Sequence, residues 1–256
     1  MEKLNTLRAQ LVDVKKNCVL LCPKSVNEQL SATKSKLGGT GILDGTAPVC
    51  PICKSTTSFV LQIFKKEFPS LFYSEGHDLF TVYRCESDDC EGIYDDTTDQ
   101  FTVFRFHRLS EYSQIAVCSD DELIYSFPSC QFDPVKVDDY PNYEEGLYPA
   151  VEPVAGIGDD ELDEMLTDHF SPRHGTKIGG YPAFTQSPWY PSCPTCKKST
   201  DFIFQLASGE SIDAHTENKY PNWSDHGITI GDLGNIYAYV CKQCDPTKVL
   251  TYWDCY

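Results

Sequence analysis

The sequence predicts a mainly β (α+β) fold, internally duplicated into two similar β-rich halves with a short helix ahead of each. Three observations carry this reading. Short runs rich in aromatic and β-branched residues are bounded by Gly, Pro, Ser and Asp; a set of landmarks recurs in the same order; and cysteines come in pairs at matching places in both halves.

The first copy opens at Ser35-Lys36-Leu37-Gly38-Gly39 and the second at Thr176-Lys177-Ile178-Gly179-Gly180. Cys50-Pro51-Ile52-Cys53-Lys54 is then matched by Cys193-Pro194-Thr195-Cys196-Lys197, and Phe59-Val60-Leu61-Gln62-Ile63 by Phe202-Ile203-Phe204-Gln205-Leu206. A last pair of runs, Leu79-Phe80-Thr81-Val82-Tyr83-Arg84 and Asn235-Ile236-Tyr237-Ala238-Tyr239-Val240, leads directly into the closing cysteines of each copy. Strand alternation places Phe59, Leu61 and Ile63 on one face with Gln62 on the reverse, and Phe202, Phe204 and Leu206 on one face with Gln205 on the reverse. Gln62 and Gln205 are therefore candidate binding residues. Further strands are expected at residues 101–106, 115–117 and 228–230. Apolar residues at Leu4, Leu7, Leu11 and Val14 predict a helix over residues 1–14, and the acidic opening of residues 159–169 suits a second one. Residues 126–153 hold Pro128, Pro134, Pro141, Pro149 and Pro153, which predicts an extended connector kept out of sheet interiors. The organisation is thus a helical segment at 1–34, a first repeat at 35–118, an acidic connector at 119–170 and a second repeat at 171–256.

Cysteine spacing points to metal. Two residues between cysteines let one tight turn offer both sulfurs to one ion, as at Cys50/Cys53 and Cys193/Cys196. The complementary pairs, Cys85/Cys90 and Cys241/Cys244, close the aromatic strand of each copy, which is the layout of a zinc ribbon. Two structural Zn2+ ions are expected, since four thiolates leave no open position for a reacting water. Cys18, Cys22, Cys118, Cys130 and Cys255 share no spacing and are read as structural or free.

Length and charge limit the remaining classes. At 256 residues the chain can bury a core without metal. Residues 1–30 contain no apolar run of signal-peptide or membrane-span length, and paired cysteines in an odd total of 13 suit a reducing compartment, so a cytoplasmic protein is expected. The formal charge of -17 repels nucleic acid, and residues 119–168 hold 15 Asp or Glu against Lys136 alone. A basic protein partner fits that field. No nucleophile and base stand at a catalytic spacing beside the histidines at 77, 107, 169, 174, 215 and 226. His174, at the mouth of the second copy, and the aromatic group Tyr181, Phe184, Trp189 and Tyr190 are the candidate contact residues; both glycine pairs lack a phosphate-loop lysine.

The motifs resemble those of the YwqG-like family, which is related to the programmed cell death protein 2 family. The resemblance rests on Ser35-Lys36-Leu37-Gly38-Gly39, on Val60-Leu61-Gln62-Ile63, and above all on the run from His174 through Gly179-Gly180-Tyr181-Pro182-Ala183-Phe184-Thr185-Gln186 with Phe204-Gln205-Leu206 and Gly231-Asp232-Leu233-Gly234-Asn235. In the first copy Thr40-Gly41 replaces Tyr181-Pro182. The resemblance implies a duplicated, mainly β fold without established catalytic residues. Its eukaryotic branch implies a chaperone for a basic small-subunit ribosomal protein, and its bacterial branch a link to toxin and immunity systems. The expected function is a non-enzymatic, zinc-binding interaction module, chaperone-like or inhibitory, that holds a basic client. An immunity protein against a nuclease-type toxin and an enzyme acting on RNA are the alternatives.

Overall fold

The computed structural model describes residues 2–43, 48–90, 101–111, 116–117, 125–142, 145–148, 151–210, 222–223 and 226–256. Ile115, Cys118, Pro149, His215 and parts of the acidic stretch lie outside them. Along the chain the elements are α1 (Glu2–Gln10), β1 (Lys16–Leu20), β2 (Pro23–Ser25), β3 (Lys36–Leu37), β4 (Ile42–Leu43), β5 (Ser58–Phe64), β6 (Leu79–Arg84), β7 (Thr102–His107), β8 (Ala116–Val117), β9 (Cys130–Phe132) and β10 (Val135–Asp139). There follow α2 (Asp159–His169), β11 (Lys177–Gly179), β12 (Asp201–Ala207), β13 (Gly209–Glu210), β14 (Asn222–Trp223), β15 (Asn235–Val240) and β16 (Val249–Asp254).

Two six-stranded antiparallel sheets dominate. One has the order β10-β1-β11-β12-β15-β16, the other β2-β9-β3-β5-β6-β7, and the pairs β4-β8 and β13-β14 stand apart. Their inner faces meet in one apolar core: Leu61, Ile63, Phe80 and Val82 from one sheet, Ile178, Phe204, Leu206, Ile236 and Ala238 from the other. The rings of Phe80 and Phe204 meet edge to face at 5.5 Å across it. Each fully buried Leu, Ile or Phe contributes about 1.5–3 kcal/mol, so this shared core is a large source of stability. Leu7 and Leu11, at and just beyond the end of α1, pack on Leu166 of α2 and on Phe170 and Tyr140.

Two features depart from the sequence expectation. The alternation along the glutamine strands is broken by a register shift, between Phe59 and Leu61 in β5 and between Phe202 and Phe204 in β12. A bulged residue turns every side chain beyond it to the opposite face. Phe59 consequently shares the Gln62 side and packs on Tyr83, and Phe202 shares the Gln205 side and packs on Tyr239, while Val60 and Ile203 enter the core.

The connector, moreover, belongs to both sheets. Its β9 lies inside a sheet, between β2 and β3, and its β10 borders β1 in the other. Pro128 and Pro134 flank β9 without interrupting its ladder. The N-terminal segment mirrors this, with β1 lying between β10 and β11 in one sheet and β2 bordering β9 in the other. Each long strand therefore crosses from sheet to sheet, at Leu21 and Cys22 in one case and at Asp133 and Pro134 in the other. Residues 228–230 form no strand: the amides of Ile228 and Ile230 are satisfied by His226 Nδ1 at 3.1 Å and Ser208 Oγ at 2.7 Å.

Candidate metal centres

The first four-cysteine cluster begins with a tight turn. Cys50 N–H donates to Ser55 O at 2.8 Å, Lys54 N–H returns to Cys50 O at 3.1 Å, and Lys54 takes the left-handed conformation at φ 67°. Val49 bridges to Thr56, and Thr57 Oγ1 holds Pro48 O at 2.7 Å. Ile52 N–H points at Cys50 Sγ, 3.4 Å away, a donor suited to a thiolate. Cys85 follows β6 directly and is anchored by its N–H to Phe101 O at 3.0 Å, and Cys90 N–H bonds Ser87 O at 3.1 Å. Cys50 Sγ stands 3.7 Å from Cys90 Sγ, and Cys53 Sγ 3.6 Å from Cys85 Sγ.

The second cluster repeats the same devices. Cys193 N–H bonds Lys198 O at 2.8 Å, Lys197 N–H bonds Cys193 O at 2.9 Å, and Lys197 is left-handed at φ 61°. Ser192 bridges to Ser199, and Thr200 Oγ1 holds Pro191 O at 2.6 Å. Cys241 leaves β15 directly, with its Sγ 3.7 Å from Cys196 Sγ. In each cluster all four sulfurs lie within 4.8 Å of one another.

These separations fit a shared ion. A tetrahedron with metal–sulfur bonds of about 2.3 Å has edges of about 3.8 Å, whereas a disulfide brings the sulfurs to about 2.05 Å. Each cluster can therefore hold one metal ion through four thiolates, a soft donor set that favours Zn2+, Cu(I) or iron–sulfur chemistry. The thiols differ in acidity. Hydrogen bonds from Ser55 pull Cys53 down to about 6, and the Cys196 N–H does the same for Cys193. Burial raises Cys85, and the hydrogen bond with Cys196 raises Cys244 to about 12. Metal entry must displace the protons still held, so affinity falls as pH falls.

The other candidate residues do not converge on a site. Gln62 is buried, accepting Ile42 N–H at 2.9 Å and donating to Ala32 O and Lys34 O at 2.6 and 2.7 Å. Gln205 is buried likewise, accepting Ala183 N–H at 2.9 Å and donating to Gly175 O at 3.0 Å. Both glutamines tie a preceding loop to the sheet and present nothing to a partner. His174 is partly buried, and desolvation lowers its pKa to about 4, keeping the ring neutral. Tyr181 lies under Lys16 Nζ, 3.8 Å from its ring centre, and donates its hydroxyl to Val14 O at 2.7 Å. Trp189, 37% exposed, stacks on Tyr252 at 5.1 Å, and Tyr190, 44% exposed, bonds Glu145. They form the outward rim of an aromatic cluster built on Tyr237, Tyr239 and Tyr252.

A buried ion pair escaped the sequence reading. Lys177 Nζ meets Asp139 Oδ2 at 3.0 Å with both side chains fully buried. Asp139 also accepts Arg173 N–H at 2.7 Å and Tyr181 N–H at 2.8 Å. The carboxylate fits because residue 180 is glycine: a Cβ there would lie 2.0 Å from Oδ2. Asp139→Ala strands the ammonium and is expected to cost about 3–5 kcal/mol in chemical denaturation. The double variant Asp139→Leu/Lys177→Met should recover most of that loss, and no recovery would show that the pair's charge is not the reason.

The family model described as "Domain of unknown function (DUF1963)" matches residues 35–255, a span that includes both clusters and every strand of the two large sheets except β1 and β2. The chain belongs to the DUF1963 family. It is also similar to a protein described as "Uncharacterized protein YpfL" from Salmonella typhimurium strain LT2, at 31% identity over 90 residues. That match takes in 35% of this chain and 18% of the relative, so the DUF1963 chain spans a minor part of the relative's length. Among the described residues no helix is long and apolar enough to cross a membrane.

Proposed function

We propose that this DUF1963 protein is a non-enzymatic, zinc-binding interaction module, chaperone-like or inhibitory, that holds a basic protein in a reducing, cytoplasmic setting. The observation that carries it is the pair of closed four-thiol clusters, each fixing the end of a long strand, β6 or β15, to the turn ahead of the glutamine strand. Zinc suits a four-thiolate, redox-silent structural role. The matched bulges, left-handed lysines and glutamine anchors support an origin by duplication. The sequence resemblance to the YwqG-like and programmed cell death protein 2 families supports the chaperone-like or inhibitory reading. The formal charge of -17 supports a cationic client, because a one-signed surface steers and retains its opposite.

Affinity capture from the native host tests the reading. A basic protein is expected in the eluate, and its retention should collapse as ionic strength rises from about 0.05 to 0.5 M, where screening shortens to a few ångströms. Capture of neutral or acidic proteins, or binding indifferent to salt, would sink the proposal.

A further inference from the structure

Among the described residues no carboxylate stands against the fully buried ammonium of Lys36. Among the described residues its Nζ has a single acceptor, Leu30 O at 2.9 Å, although an ammonium offers three donors. Desolvation without a counter-charge is costly, and burial accordingly lowers the pKa of Lys36. Two residues before Gln131, the ladder partner of Lys36, Ser129 Oγ is buried without a hydrogen-bond partner among the described residues, 3.2 Å from where a Cβ on Gly39 would stand.

The other sheet shows what such a lysine is built to meet. Lys36 lies opposite Gln62 as Lys177 lies opposite Gln205, and each lysine leads into two left-handed glycines, at φ 67° and 63° for Gly38 and Gly39 and at φ 70° and 74° for Gly179 and Gly180. Around Lys177 the space against the second glycine is filled by the Asp139 carboxylate, held by the ammonium and by Tyr181 N–H. Thr40 stands where Tyr181 does. Asp139 lies two residues beyond Val137, which faces Cys18 in the ladder. Val26 occupies the matching place, its N–H on Ser129 O at 2.9 Å, and two residues beyond it is Glu28, which is exposed.

We propose that Lys36 Nζ, Ser129 Oγ and the Gly39–Thr40 turn form a carboxylate-binding site, the counterpart of the place that Asp139 fills in the other sheet. The segment of residues 26–34, which forms neither strand nor helix, reaches over this place, with Leu30 O on Lys36 Nζ and the exposed Gln29 bonded to Thr40 Oγ1 at 3.0 Å. The carboxylate has two sources, a small free acid or Glu28 folding inward.

Thermal unfolding of the full-length protein in sodium acetate, against sodium chloride of equal ionic strength, tests it. With a free acid as ligand, acetate should raise the native Tm saturably by about 2–4 °C, and Lys36→Met should abolish the rise. With Glu28 as the source, native protein ignores acetate, Glu28→Gln lowers Tm, and acetate restores it in Glu28→Gln but not in Glu28→Gln/Lys36→Met. An acetate response in neither native protein nor Glu28→Gln overturns the proposal. Should Lys36→Met fail to fold, the 15N signal of the Lys36 side-chain nitrogen serves instead: it must move with acetate in the native protein or in Glu28→Gln, and a signal fixed in both refutes the site.

Discussion

Cut between Tyr125 and Ser126, the chain is expected to give two fragments that do not fold alone but fold together. The first fragment keeps β3, β5, β6 and β7 but loses β9, which lies between β2 and β3. The second keeps β11, β12, β15 and β16 but loses β1, which lies between β10 and β11. Each would expose an interior ladder and half of the shared core, with Phe80 parted from Phe204 and Leu61 from Leu206. An open interior strand position is a site for aggregation rather than a stable edge. Expressed singly, the fragments should be insoluble or lack a cooperative transition by circular dichroism; expressed together, they should co-purify with the intact protein's β signature. A folded, monomeric first fragment would mean that the crossing strands are accessory.

Replacing one ligand in each cluster should remove metal one ion at a time. Purified protein is expected to carry two zinc ions, Cys241→Ser and Cys50→Ser one each, and the double variant none, by elemental analysis. Cys255→Ser, outside both clusters, should keep two. Loss of a metal belongs among the mechanisms that cost more than about 4 kcal/mol, so Tm should fall by roughly 8–16 °C per site. The apolar core should still give a cooperative transition. Native protein without zinc, or two ions retained in Cys241→Ser, would end the metal assignment.

The two four-cysteine clusters were legible because spacing alone brings Cys50 to Cys53, and because strands as plain as residues 79–84 must deliver the cysteines that follow them. The two helices and the glutamine strands were legible from periodicity and residue type. The bulges at Val60 and Ile203 were not, since an extra residue in one strand has meaning only against its partner, and that misassigned the faces of Phe59 and Phe202. Gln62 and Gln205 looked like binding residues because the loops that cover them are distant in sequence. The connector misled through its prolines, which mark the ends of β9 rather than forbidding it. Asp139 was hidden among the 15 acidic residues of a stretch read as a field for a basic partner, and only its place beside the glycine turn reveals it as the partner of Lys177.

The crossing strands also set an order of events on the ribosome. Cys18, Val19 and Leu20 are made well over 100 residues ahead of their partners in β10 and β11, which lie beyond residue 134. At about 5–20 residues per second β1 waits on the order of 10 s before its first neighbour exists. Neither sheet can close during that interval, because β9 emerges only just ahead of β10. A protein proposed to shelter another chain would thus itself pass through a long, sticky infancy, and slow translation past residue 139 should be among the conditions that reduce its yield.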